Sequence, residues 1–246
     1  MPVFFIDPES LQNDVIAVKS PLAHHLIESL RVQPGEEIWV GVSGGARFRA
    51  RVVRVEPDRL TAHILFSCNR PSPVLPAITL GIAMIKTEHM DWAIQKATEL
   101  GVTRLVPLTT MRSVIRIPAE RIPHRTSRWQ AIAREAAQQS MCWEIPDVTV
   151  PASLPEWCER EKETASRWLL WESPRATRLA ESLRGKPKPE SIAIGIGPEG
   201  GFDIQEVTTA EHHGFEKISL GPRILRTESA VLTALAIIQY EWGDIG

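Results

Sequence analysis

The 246-residue sequence has no apolar run approaching the roughly 20 residues that span a bilayer, so no transmembrane helix is expected. Residues 1–20 carry Asp7, Glu9 and Asp14; no secretory signal is legible there, and a cytoplasmic location is expected. Cysteine is scarce. Cys68, Cys142 and Cys158 are odd in number and widely separated, which suits a reducing compartment and offers neither a disulfide framework nor a Cys-x-x-Cys metal site. His24-His25 and His212-His213 are adjacent pairs. Neighbours on a helix point about 100° apart, so neither pair makes an i, i+4 clamp, and no metal is expected. The net charge of −2 excludes a broadly basic protein; any nucleic-acid surface must be concentrated locally. Internal repeats and low-complexity segments are absent.

What is present suits a globular enzyme. Hydrophobic residues make up 43% of the chain, enough for a sizeable core in one large domain or two small ones. The chain divides at Asn69-Arg70-Pro71-Ser72-Pro73-Val74-Leu75-Pro76, where prolines interrupt both helix and ladder. The expected arrangement is a small domain over 1–70, a proline-rich linker over 71–77 and a larger domain over 78–246. Before the linker, strand-like runs fall at Val3–Ile6, Val15–Val18, Glu37–Val42, Arg47–Val55 and Leu60–Phe66, with one helix from Pro21 to about Leu30; this mixture reads as a small β-barrel. After it, strand-like runs at Ile78–Ile85, Arg104–Leu108, Trp168–Trp171, Ile192–Ile196 and Lys217–Leu220 alternate with helical patterns. That alternation predicts an α/β fold, a parallel sheet with helices on both faces. Met90, Ile94, Ala97 and Thr98 mark one helix, ended by Gly101, and Ile132, Ala133, Ala136 and Ala137 mark another. Asp203 and Glu206 spell a cap for a third, which runs to Gly214. The last begins near Thr227 and is expected to bury Val231, Leu232, Leu235 and Ile238.

Two of the strand-like runs feed glycine loops. Ser191–Ile196 runs into Gly197-Pro198-Glu199-Gly200-Gly201, and Ile218-Ser219-Leu220 runs into Gly221-Pro222-Arg223-Ile224-Leu225-Arg226-Thr227-Glu228. Ligands of open α/β sheets sit outside the carboxyl ends of strands, and glycine lets backbone approach them closely. Trp171 ends a third run at the same edge. Gly195, Gly197 and Gly200 also spell G-x-G-x-x-G, the dinucleotide pattern. Pro198 lies inside it, only 46 residues follow Gly200, and no acid ends the next strand, so an NAD(P)-dependent oxidoreductase is a distant alternative. Gly41-Val42-Ser43-Gly44-Gly45 spells a nucleophile elbow, but an elbow needs a helix after it and here a strand-like run follows; a hairpin turn is expected.

The two loops resemble the bacterial 16S ribosomal RNA uracil-N3 methyltransferases of the SPOUT superfamily, and the likeness extends upstream. Gln95-Lys96-Ala97-Thr98-Glu99-Leu100-Gly101-Val102, Met111-Arg112-Ser113-Val114, Arg128-Trp129, Gln139-Ser140 and the stretch from His25-Leu26 to Leu30-Arg31 carry it. The departure is Gln138-Gln139-Ser140-Met141-Cys142, where the family has Glu-Gln-Ser-x-Arg; it keeps open the alternative of a catalytically idle RNA-binding protein of the same fold. The resemblance implies a PUA-like barrel at the amino terminus and a trefoil-knotted methyltransferase domain. It also implies S-adenosylmethionine as cofactor and N3 of a uridine in 16S ribosomal RNA as target, a step of ribosome biogenesis.

On that reading Trp171, Ile196, Gly197, Pro198, Glu199, Gly200, Gly201, Leu220, Gly221, Ile224, Leu225 and Thr227 hold the cofactor. Uracil N3 becomes nucleophilic when its proton leaves, and an arginine stabilises the charge that develops on the flanking carbonyls. Arg226 is the first candidate and Arg112 the second; Glu228 accepts the proton, orients Arg226, or simply sits favourably on a helix N-terminus. RNA contacts are expected from Arg31, Arg116 and the row Arg47, Arg49, Arg51, which share one strand face, the competing reading of that row being a solvated barrel surface. The last helix is apolar nearly all round, which with the resemblance implies a homodimer, placing Arg112 or Arg116 of one chain at the other's methyl site.

Overall fold

A computed structural model describes residues 2–72, 76–173 and 175–245. The central part of the expected linker, residues 73–75, lies outside the described residues. The chain resolves into two compact units, Met1–Pro73 with Ala137–Ile145, and Val74–Ala136 with Pro146–Gly246.

The first unit is a six-stranded sheet: β1 (Val3–Phe5), β2 (Leu11–Gln12), β3 (Val15–Lys19), β4 (Glu37–Gly41), β5 (Arg47–Glu56) and β6 (Arg59–Cys68). They lie in the order β1-β4-β5-β6-β3-β2, antiparallel except for β1 beside β4. A helical turn, α1 (Leu22–His24), continues as a wider turn to Ser29, and a shorter one spans Pro8–Ser10. Alternation in β5 turns Ala50 and Val52 inward against Ile38, Leu60 and Ala62, which period-2 geometry requires. Gly44, at φ +73°, and Gly45 N–H donating to the Val42 carbonyl make the turn between β4 and β5. A strand therefore follows Ser43, and its hydroxyl accepts from the Ile145 N–H. Ala137–Ile145 belongs to this unit: the Gln138 side-chain oxygen accepts from Phe5 N–H at 3.2 Å, and Ala137, Cys142 and Ile145 pack with Val3 and Phe5.

The second unit is a parallel α/β layer. Its elements are β7 (Ala77–Ala83), α2 (Thr87–Glu99), β8 (Arg104–Thr109), α3 (Ile122–Gln139), β9 (Asp147–Val148), β10 (Ala152–Ser153), α4 (Leu154–Arg160), β11 (Ser166–Leu170), β12 (Thr177–Arg178), α5 (Leu179–Leu183), β13 (Ser191–Ile196), α6 (Ile204–His212), β14 (Glu216–Ser219) and α7 (Thr227–Trp242). The strand order is β10-β8-β7-β13-β11-β14-β12, every pair parallel, with β9 also on β8. The central strands are near-continuous apolar runs because helices cover both faces. Ile78, Leu80, Ile82, Ile192, Ile194 and Ile196 face one core with α2 and α7, while Leu169, Ala193 and Leu108 face another with Trp157 and Phe202. In that second layer Gly81 and Gly195 are register partners, and a Cβ on either would come within 3.0 Å of the fully buried Trp157 ring. The first glycine of the G-x-G-x-x-G pattern is thus a seat for an indole inside a strand.

Helix termini follow local chemistry. Gly101 at φ +76° and Gly214 at φ +79° end α2 and α6 in the left-handed conformation. At the start of α6, Asp203 accepts from the Gln205 N–H at 3.0 Å and Glu206 accepts from the Asp203 N–H at 2.9 Å. Six short elements of the fold are not among those expected from the sequence. The strands β2, β9, β10 and β12 are too short for a period to register, α5 is five residues long, and α4 carried a signal in Ser153-Leu154-Pro155-Glu156 that forms a complete capping box. One expected core residue of α7 is corrected: Leu232 is 37% exposed, and the buried face is instead Thr227, Ala230, Val231, Ala234, Leu235, Ile238, Gln239 and Trp242.

Candidate cofactor and methyl-transfer site

A cavity of about 260 Å³ opens at the carboxyl ends of β11, β13 and β14, where the strand-end rule puts it. Three loops form it. The one after β13 contributes Ile196, Gly197, Pro198, Gly200, Gly201 and Phe202. The one after β14 contributes Ser219, Leu220, Gly221, Arg223, Leu225 and Thr227, and the one after β11 contributes Trp171 and Glu172. Glycine is required conformationally at two of these positions, Gly201 at φ +68° and Gly221 at φ +116°, and at neither would a Cβ meet any atom within 4 Å. Gly200 has no such φ; its neighbourhood is Arg112, at ordinary contact distance.

The loops are tied together by polar contacts that leave the cavity open. Thr227 is buried at the first turn of α7, and its hydroxyl donates to the Gly197 carbonyl at 2.9 Å, joining the two glycine loops. Arg112 donates from Nη1 to the Gly200 carbonyl and from Nη2 to Asp203 Oδ2, each at 3.1 Å. Glu206 spends one oxygen on its own helix cap and the other on the Met111 N–H at 2.8 Å, so the turn after β8 is fixed to the start of α6. The Asp203 carboxyl is held below its usual range, first by the Gln205 N–H and then by Arg112. Glu206 was read from the sequence as a cap alone; its second role has no sequence signal.

Of the expected cofactor residues, Trp171, Ile196, Gly197, Pro198, Gly200, Gly201, Leu220, Gly221, Leu225 and Thr227 line the cavity, while Glu199 and Ile224 do not. Leu170, Glu172, Phe202, Ile218, Ser219 and Ala230 line it as well and were not singled out. Glu172 was within reach of the strand-end argument, since it follows Trp171. Among the expected catalytic residues, Arg112 lines the cavity of its own chain. Arg226 is exposed at the N-cap of α7, with no side-chain partner among the described residues. Glu228 turns away from the cavity: its Oε1 lies 3.5 Å from His89 Nδ1, its side chain is 15% exposed, and Oε2 is buried without a hydrogen bond.

The expected arginine row on β5 does not form. Arg47 is 6% exposed, donates to the Met141 carbonyl at 2.6 Å and stacks over Trp143 at 3.8 Å; burial lowers its pKa. Arg49 and Arg51 are exposed, but both pair with Glu37, at 2.6 and 2.7 Å, which pushes the Glu37 carboxyl down, chiefly through Arg51. Arg47, Arg49 and Arg51 do alternate with the inward Ala50 and Val52, but Met141 and Trp143 cover the Arg47 end of that face and withdraw it from the row. Arg31, at φ +54°, and Arg116 are exposed. Among the described residues no three His, Cys, Asp or Glu side chains gather as a metal site, and no helix is long and apolar enough to cross a membrane.

A parallel sheet whose strand-end cavity is walled by two glycine loops and arginines defines a class, and the RNA methyltransferase domain model matches residues 71–239. The chain is 30% identical over 224 residues to the ribosomal RNA small subunit methyltransferase E of Bacillus subtilis (strain 168), covering 89% of this chain and 87% of that one. It is 31% identical over 234 residues to the protein of the same name from Synechocystis, covering 95% and 75%. The crystal structure of a ribosomal RNA small subunit methyltransferase E from Neisseria gonorrhoeae bound to S-adenosyl methionine superposes with a TM-score of 0.89 at 32% identity, covering 100% of each chain. The chain belongs to the ribosomal RNA small subunit methyltransferase E family.

Proposed function

We propose that this S-adenosylmethionine-dependent ribosomal RNA methyltransferase methylates N3 of a uridine in 16S ribosomal RNA. The observation that carries the site assignment is the strand-end cavity between two glycine loops joined by the Thr227–Gly197 hydrogen bond. Its lining fits an amphipathic zwitterion. Ile196, Leu220, Leu225 and Trp171 offer apolar surface to an adenine ring, and Glu172 and Arg223 offer opposite charges to an amino acid moiety. When bound there, the cofactor supplies a methyl group on a sulfonium, and the chain supplies placement and electrostatics.

Arg226, exposed and free beside the loop Leu220–Thr227, is assigned to the carbonyl oxygens of the target uracil as N3 loses its proton. Arg112 has its guanidinium committed to Gly200 and Asp203, so its role is to hold the glycine loop at the cavity wall. Glu228 is a positioning residue for the first turn of α7. The amino-terminal unit, residues 1–70, is read as a PUA-like RNA-binding domain with Arg31 as an RNA contact, and Arg116 of the second unit is read as another. The segment into α7 is read as the threaded part of a trefoil knot, and the place of action is the cytoplasm.

The working form is read as a homodimer. Leu232, Ile237 and Tyr240 stay exposed on α7, and Trp92 stays exposed on α2, which packs beside it. An apolar helix with a second uncovered side calls for a partner. Sedimentation at micromolar concentration tests this: a 27.5 kDa species refutes the dimer. Methyl transfer to 16S ribosomal RNA lacking the modification, with the product nucleoside identified, tests the activity.

A further inference from the structure

Two loops at the cavity mouth carry the same pattern. After β8, Arg112, Val114 and Arg116 are all exposed; after β14, Arg223, Ile224 and Arg226 are all exposed. Each loop therefore sets an aliphatic side chain between two arginines. The aliphatic members are unusually bare, Val114 at 88% and Ile224 at 76%. Arg112 and Arg223 line the cavity, so both loops border it. The segments 110–118 and 220–227 contain no acidic residue. Arg116, Arg223 and Arg226 have no partner among the described residues. Three unpaired guanidiniums favour a polyanion, and bare aliphatic surface beside them favours the face of an unstacked base.

Resting on the proposed function, we infer that these loops form a clamp for single-stranded RNA flanking the target uridine. Val114 and Ile224 pack on bases next to the one drawn into the site, and Arg116 takes a neighbouring phosphate. An enzyme acting on N3 of a paired base must first unstack and unpair it, because N3 is a Watson–Crick position. Aliphatic residues that occupy the vacated stacking surface offset part of that cost, and guanidiniums fix the splayed backbone.

The test is fluorescence anisotropy with a labelled oligouridine 12-mer over a salt series, using the full chain. Val114→Ser with Ile224→Ser should weaken binding about tenfold and leave the log–log salt slope unchanged, since no charge is lost. Arg116→Gln should reduce the slope by about 0.7 units, the single-strand value for one phosphate contact. S-adenosylmethionine affinity by calorimetry, melting temperature and sedimentation should match the parent in both variants, since these side chains are exposed. Parental RNA affinity in the double serine variant overturns the clamp while leaving the methyltransferase assignment standing. A drop to monomer mass assigns the aliphatic residues to a subunit contact, and lost cofactor affinity assigns them to a cofactor lid; either result overturns the proposal. If the parent protein transfers no methyl to ribosomal RNA, the functional reading itself fails, and the clamp with it.

Discussion

Gly195 and Gly221 stand on either side of the distinction between packing and binding, and alanine at each should separate the two. A Cβ on Gly195 would lie 2.7 Å from Leu169 Cδ1 and 3.0–3.2 Å from the Trp157 ring. The ring cannot retreat, because it is fully buried and already lies on Gly81, where a Cβ would approach to 2.8 Å. Overpacking of this kind costs roughly 1–3 kcal/mol. In a protein of this size each kcal/mol moves the melting temperature by about 2–4 °C, so Gly195→Ala should melt roughly 2–12 °C early. The folded fraction should bind S-adenosylmethionine normally. Gly221 presents the opposite case. No atom lies within 4 Å of its Cβ position, so alanine meets no clash, but its φ of +116° is one that side chains rarely adopt. Holding alanine there costs about 1–3 kcal/mol, which the loop escapes by changing conformation at the cavity wall. Gly221→Ala should therefore melt within a few degrees of the parent and bind the cofactor at least tenfold more weakly, about 1.4 kcal/mol. Scanning fluorimetry with calorimetry reads both. An unshifted melting temperature with abolished binding for Gly195→Ala would refute the reasoning, as would parental affinity for Gly221→Ala.

Other outcomes follow from the same contacts. Glu228→Gln should retain methyl transfer to within about tenfold, whereas loss of a proton acceptor would cost about 10²–10⁴-fold in kcat. Asp203, depressed below its ordinary 3.8, adds stability above that value and loses it as pH falls through the folded pKa. Arg112→Ala should raise the Asp203 pKa in an NMR titration, moving acid loosening of the α6 cap to higher pH, and should weaken cofactor binding. Burial pushes the Cys158 thiol up to about 12, so alkylation at neutral pH should spare it in the folded protein and modify it only after denaturation.

Much of this architecture was legible in residues alone. Apolar runs found the five main strands of the second unit, and Gly101, Gly214 and the Asp203–Glu206 pair marked helix ends that the backbone uses in those ways. The cavity loops were legible because strand ends and glycines advertise themselves. Side-chain direction was not. Arg47 shares a strand with Arg49 and Arg51, but Trp143 and Met141, nearly a hundred residues away, draw it inward. Glu228 follows Arg226 closely in sequence, but its carboxylate sits beside His89 of another helix, Oε1 at 3.5 Å from Nδ1, rather than among the cavity-lining residues. The Gln138 departure is likewise explained only in three dimensions: an amide oxygen accepts the Phe5 N–H as a carboxylate would. Contacts between distant segments decide such cases, and no local pattern records them.

The most direct measurement is nucleoside mass spectrometry of 16S ribosomal RNA from a strain lacking this methylation, offered both naked and within the small subunit, after incubation with the protein and S-adenosylmethionine carrying a labelled methyl. The account predicts label in 3-methyluridine at one site, approaching one methyl per RNA, and none with Arg226→Ala over the same period. Label on a ribose, on another base, or nowhere would contradict it.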